Sequence, residues 1–109
     1  MKLFSTAILL SAALVSSFSL ADQLVVQFYS FTYDNTFVAD DMEFMTTTYT
    51  VVQTYGNEDE RLFIGGLREG DWLLLTYDVV GAEKQWIVSK IEILEDESKA
   101  DEVNELIHE

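Results

Sequence analysis

The chain contains no cysteine and no proline, one histidine, and only six Lys and Arg against 20 Asp and Glu. Without cysteine there is no disulfide framework, no thiolate nucleophile and no acceptor for a lipid anchor, so the fold must be held by its core alone. Without proline, the turns fall to Gly, Asn and Asp. Scarce cations leave a formal net charge of −14. Phosphate backbones and anionic lipid surfaces repel such a chain, which sets nucleic acid aside as a partner. The lone histidine, His108, is the penultimate residue, so no imidazole is placed to activate a Ser or Thr nucleophile in the body of the chain. Gly65-Gly66 and Gly70 lack nucleotide-loop spacing and are followed by no Lys-Ser or Lys-Thr pair, so they read as turn glycines. Carboxylate pairs are the one catalytic resource left, and a domain this small has little room for the sugar cleft of a glycoside hydrolase. No catalytic residue is assigned, no enzyme is expected and no cofactor is implied.

One long apolar run is present, at the start. Lys2 supplies a positive charge, Leu3 to Val15 is interrupted only by Ser5, Thr6 and Ser11, and Ser19-Leu20-Ala21 offers small side chains where a signal peptidase needs them. The run is too short for a permanent span of a hydrocarbon layer of roughly 30 Å. This predicts a signal peptide over residues 1–21, cleavage after Ala21, and a periplasmic or secreted chain with no membrane insertion afterwards. Arg61, Arg68, Lys84, Lys90 and Lys99 then face all 20 acids.

From Gln23 to Leu94 the composition is that of strands, with no convincing 3.6-residue apolar period. Leu24 to Tyr33 predicts a long first strand, ended by the Asp34-Asn35 turn signal. Thr36 to Ala39 resumes strand character until Asp40-Asp41. In the block Glu43 to Tyr55 the bulkier alternating set, Met45, Thr47, Tyr49, Val51, Gln53 and Tyr55, is expected to face inward. Trp72 to Val80 and Gln85 to Leu94, joined by Gly81-Ala82-Glu83-Lys84, predict a hairpin. Glu95 to Glu109 is acidic, and Ala100, Val103, Leu106 and Ile107 at helical spacing predict one or two helical turns with Ser98 as N-cap.

The segment Leu67-Arg68-Glu69-Gly70-Asp71-Trp72-Leu73 is the sharpest local pattern. An aliphatic anchor and two polar residues precede a Gly-Asp turn that delivers the chain into a buried strand. Together with the strand ending Ile87-Val88-Ser89-Lys90-Ile91-Glu92-Ile93, it resembles small exported bacterial OB-like domains of unknown function, over roughly Leu24 to Leu94. Phe37 to Glu43 departs from the pattern by lacking a Gly at the second turn. The resemblance implies a domain that binds or packs, and it brings no site residues with it. The expected fold is all-β: a small five- or six-stranded antiparallel OB-like barrel over 22–94, with a short C-terminal helix or tail over 95–109.

Function is read from what such a barrel leaves outside. Two Trp, five Tyr and seven Phe are present, and all but Phe4 and Phe18 follow Ala21. OB-like barrels recognise ligands by stacking on exposed rings. Tyr29, Phe31, Tyr33, Tyr49 and Tyr55 are the candidate ligand-binding residues, and an exported protein, peptide or glycan is the expected partner. Asp40, Asp41 and Glu43 form the candidate metal site, since oxygen ligands on a loop suit Ca²⁺ or Mg²⁺. The leading expectation is a soluble periplasmic, non-enzymatic binding or interaction module. An acidic inhibitor masking a basic site on an exported partner comes second, and a divalent-cation-binding protein third.

Overall fold

The computed structural model describes residues 22–33 and 35–108; the expected signal segment lies outside them. Six strands follow in order: β1 (Asp22–Tyr33), β2 (Thr36–Ala39), β3 (Met42–Met45), β4 (Val51–Thr54), β5 (Trp72–Val80) and β6 (Gln85–Leu94). A 3-10 turn occupies Ile64–Gly66, and one helix, α1 (Glu97–Ile107), ends the chain. The sheet runs β3-β2-β1-β5-β6-β4, and β3 also pairs with β6. That pairing closes a five-stranded barrel, with β4 as an extra strand along the same edge of β6.

Closure corrects one expectation. The barrel is mixed, not antiparallel, because β3 and β4 both run parallel to β6. Five strands cannot alternate direction around a closed ring, so one neighbouring pair must be parallel. Here the seam falls at Met45↔Ile87 and is prolonged by Val51↔Lys90 to Thr54↔Ile93. Between the two, the Thr50 hydroxyl donates to Val88 O at 2.7 Å, standing in for a ladder bond.

The interior is built from alternate residues, as pleating requires. Val26 and Phe28 of β1, Phe37 and Ala39 of β2, Phe44 of β3, Val52 of β4, Leu73, Leu75 and Tyr77 of β5, and Val88 and Ile91 of β6 form one buried cluster. Rings run through it in series: Phe31 on Phe28 at 5.0 Å, Phe28 on Phe37 at 5.7 Å, Phe37 on Phe44 at 5.4 Å, and Phe44 on Trp86 at 5.7 Å. Tyr77 stacks on Trp86 at 4.7 Å. Such pairs add about 0.5–1.5 kcal/mol each beyond the area they bury.

Three register shifts break simple alternation, one of them between Phe31 and Tyr33 near the end of β1. Between β1 and β2, Phe28 opposes Ala39 but Ser30 opposes Val38, so Tyr29 is an extra residue. Between β5 and β6, Thr76 opposes Lys90 but Tyr77 opposes Val88, so Ser89 is extruded. A bulge changes the phase of a strand, which is why Trp86 and Val88 share the interior with Ile91 and Ile93. The β2–β3 hairpin turns through Asp40 (φ 48) and Asp41 (φ 63). Both take the left-handed conformation of a two-residue turn without glycine, which Asp tolerates better than most residues.

The block Glu43 to Tyr55 is two strands, and its expected inward set holds only in part: Gln53 is buried, but Thr47 and Tyr49 are exposed. Phe44 and Val52 are buried in the core, whereas Tyr49 is 86% exposed. The break comes from threonine hydroxyls that hold a turn: Thr47 N donates to Thr50 Oγ1, and Tyr49 N to Thr47 Oγ1. Such local bonds compete with a ladder.

The helix also differs from expectation. It spans 11 residues, about three turns, and its N-cap is Asp96, which accepts from Lys99 N at 2.9 Å, not Ser98. Asp at the cap and Glu97 in the first turn both suit the positive end of the helix. Ala100 and Val103 are buried against Leu74 and Leu94, with Val25, Tyr55, Trp72 and Ile107 completing this second cluster on the outer barrel wall. Leu106, expected in the docking stripe, is exposed.

Candidate functional site

β1 is tied on both sides at consecutive residues. Gln27 N donates to Asp40 Oδ1 at 3.1 Å, and Asp40 N donates back to Gln27 O. Phe28 N donates to Asp71 O at 2.8 Å, and Gly70 N to Phe28 O at 2.9 Å. The two exchanges bring the β2–β3 turn and the Gly70 turn to the same stretch of β1. The Gly70 turn is fixed in its own right, since Gly70 has φ 97 and Asp71 Oδ2 accepts from Arg68 N at 2.9 Å. Gln27 Nε2 reaches across to Gly70 O at 3.1 Å.

The space between these turns is a cleft of about 380 Å³, and its lining includes Tyr29, Asp40, Asp41, Glu69 and Gly70. Tyr29, the extra residue of the β1 bulge, is 59% exposed. Among the described residues, no Lys or Arg lines the cleft. Three acidic residues and a tyrosine therefore line one open cleft, with no cation among its described lining residues. Carboxylates attract a cation at close range, and a tyrosine face adds a quadrupole attraction.

This joins residues that the sequence assigns to two different sites. Tyr29 comes together with Asp40 and Asp41, whereas Glu43 lines another cleft with Glu83, Lys84 and Trp86 and accepts from the Thr32 hydroxyl at 3.4 Å. Among the described residues, no three His, Cys, Asp or Glu side chains are grouped to hold a metal ion. Phe31 stays against Phe28 with its outer edge exposed, and Tyr33 is 73% exposed near the end of β1. Tyr49 lies in the connection between β3 and β4. Tyr55 belongs to the helix-covered cluster, with Lys99 Nζ 5.7 Å from its ring centre. The five rings do not form one platform. Glu69 and Gln27 are the cleft residues that sequence reasoning leaves out. Glu69 sits inside the Gly-Asp turn pattern, and only the pairing of that turn with β1 brings it beside Asp40.

Two groups outside the cleft have shifted acidity. Glu60 is held below the ordinary glutamate range, because Thr54 hydrogen-bonds its carboxylate, Thr54 N donating at 2.8 Å. Burial raises the Tyr77 hydroxyl, with a further contribution from Asp22.

Comparison of the chain with protein-family models, with curated proteins and with solved structures finds no match.

Proposed function

We propose that this chain is an exported, non-enzymatic binding module that recognises a cationic side chain of an exported protein or peptide through the Tyr29 cleft. One observation carries the reading: a built cleft in which a 59% exposed tyrosine meets Asp40, Asp41 and Glu69 with no lysine or arginine among the described residues that line it. A guanidinium or ammonium group satisfies both halves of such a site, stacking on the ring while the carboxylates neutralise its charge. The fold supports the reading, since a small barrel presents loops and one end of its wall for recognition. The signal-like start of the chain and its likeness to small exported OB-like domains support a periplasmic setting.

The acidic-inhibitor reading invokes the whole surface instead of one cleft, and variants at the cleft separate the two. Titration calorimetry with acetyl-Gly-Arg-Gly-amide, against the citrulline analogue, tests the proposal. The arginine peptide should bind and the citrulline peptide should not. Tyr29→Ala should weaken binding about two- to fivefold, the equivalent of an exposed cation–π contact. Asp41→Asn, which keeps a residue tolerant of the left-handed turn, should weaken it further. Equal binding of both peptides, or no effect from either variant, refutes the cleft as the site.

A further inference from the structure

A second cleft lies on the outer wall where β4 runs beside the β6 bulge. It is an open cleft of about 380 Å³ lined by Val51, Gln53, Glu58, Arg61, Ser89 and Lys90. In so acidic a chain, two cations meeting in one cleft is a concentration of the scarce sign. Among the described residues the one ion pair is Lys99–Glu102, so neither Arg61 nor Lys90 is held by a carboxylate.

The position of each group follows from local structure. Lys90 opposes Val51 across the parallel β4–β6 pair. Ser89 is present because the register shift extrudes it, and its hydroxyl donates to Thr76 O at 3.2 Å, which leaves the oxygen lone pairs free to accept. Arg61 is anchored by Nη1, which donates to Glu58 O and Glu60 O, both at 2.8 Å. Its guanidinium has further N–H groups in a fixed plane.

Gln53 supplies the independent sign of a ligand. Its side chain is 2% exposed, and its Nε2 has no hydrogen-bond partner, alone among the buried side-chain nitrogens and oxygens of the described residues. A buried donor left unmade is costly, and native structures seldom keep one without a role. The last torsion of a glutamine side chain is broad, so the amide can turn toward an acceptor drawn between Lys90 and Arg61.

We propose that this cleft binds a free α-amino acid. The carboxylate goes to Arg61 and Lys90 and gives the Gln53 amide its acceptor. The α-ammonium donates to the Glu58 carboxylate and to the Ser89 hydroxyl oxygen. Glu58 is what favours a zwitterion over a plain anion: a phosphate or sulfate would meet its carboxylate at close range, whereas an amino acid turns that charge into a contact. A volume near the lower end of ligand pockets, which start at about 300 Å³, suits so small a ligand. The proposal is independent of the Tyr29 cleft.

The test is titration of the purified protein with L-alanine, followed by ¹⁵N–¹H correlation spectra. The side-chain amide pair of Gln53 and the backbone amides of Ser89 and Lys90 should shift saturably. N-acetyl-L-alanine, which lacks the ammonium, and L-alaninamide, which lacks the carboxylate, should each bind about tenfold or more weaker, since each loses a charge-assisted contact. Lys90→Gln should weaken alanine binding by a similar factor and Lys84→Gln should not. Absence of a saturable shift at Gln53 overturns the proposal. So does alaninamide binding as well as alanine, or inorganic phosphate binding the same residues more tightly. The ligand comparison uses the unaltered chain, so it decides the matter even if a variant fails to fold.

Discussion

Replacing Gly70 by alanine tests the backbone argument on which the Tyr29 cleft rests. Gly70 has φ 97, a conformation that costs a residue with a Cβ about 1–3 kcal/mol. A Cβ built there meets no atom within 4 Å, so no steric clash with neighbours adds to that figure. Alanine also narrows the unfolded ensemble, which returns about 0.4–1 kcal/mol. The net expectation for Gly70→Ala is a loss of about 1–2 kcal/mol. Gly66→Ala is the matched control. Gly66 also has open space around its Cβ and no positive φ, so only the unfolded-state term applies and the change should be neutral or slightly stabilising. Urea unfolding of both variants at constant m-value reads the difference. For a domain of this size each kcal/mol corresponds to about 4–8 °C in Tm. Equal stability of the two variants would refute the claim that the Gly70 turn depends on its backbone conformation.

Two further outcomes follow from the helix and from the β4 edge. Asp96→Ala removes the cap on Lys99 N and should cost about 1 kcal/mol, while Ser98→Ala should cost nearly nothing; chemical denaturation of the pair checks the assignment. Glu60 titrates below the ordinary glutamate range because the folded chain hydrogen-bonds its anion. Its contribution is therefore complete above the unfolded value and is lost as pH falls through the lowered folded value. Glu60→Ala should flatten the acid limb of the stability–pH curve, and an unchanged limb would contradict the assignment.

The sequence carries the strands and the β5–β6 hairpin plainly, because local periodicity and the Gly81 to Lys84 turn specify them. It also carries the Gly70 turn, where one residue type answers one backbone requirement. The phase of each strand is less visible. In β6 the apolar residues step from Trp86 and Val88 to Ile91 and Ile93, and that change of parity is the trace of the Ser89 bulge. In the Glu43 to Tyr55 block, bulk is a poor guide to the inward set: Phe44 and Val52 fill the core, and Thr47 and Tyr49 fall in a threonine-held turn between two strands. The seam was hidden for another reason: strand parity in a closed ring is a property of the count, which no window of sequence contains. The cleft depends on the same long-range pairing. Asp40 and Glu69 lie far apart in the chain and are brought together only through backbone bonds to Gln27 and Phe28.

The parallel seam also sets where the barrel opens. The direct β3–β6 closure is a single residue pair, Met45↔Ile87, whereas β5 and β6 are paired along their whole length. Contacts between segments so distant in sequence form late and carry a large loop-closure cost. Local opening follows the least-supported cooperative unit, so in a hydrogen-exchange measurement the amide protons along Thr46 to Val51 and at Ile87 should exchange ahead of those in the hairpin. The fully buried Phe44 lies 5.7 Å from the half-buried Trp86 across this line, so parting it should change the surroundings of both rings. The indole of Trp86 thereby becomes a built-in fluorescent reporter of the breathing motion that precedes unfolding.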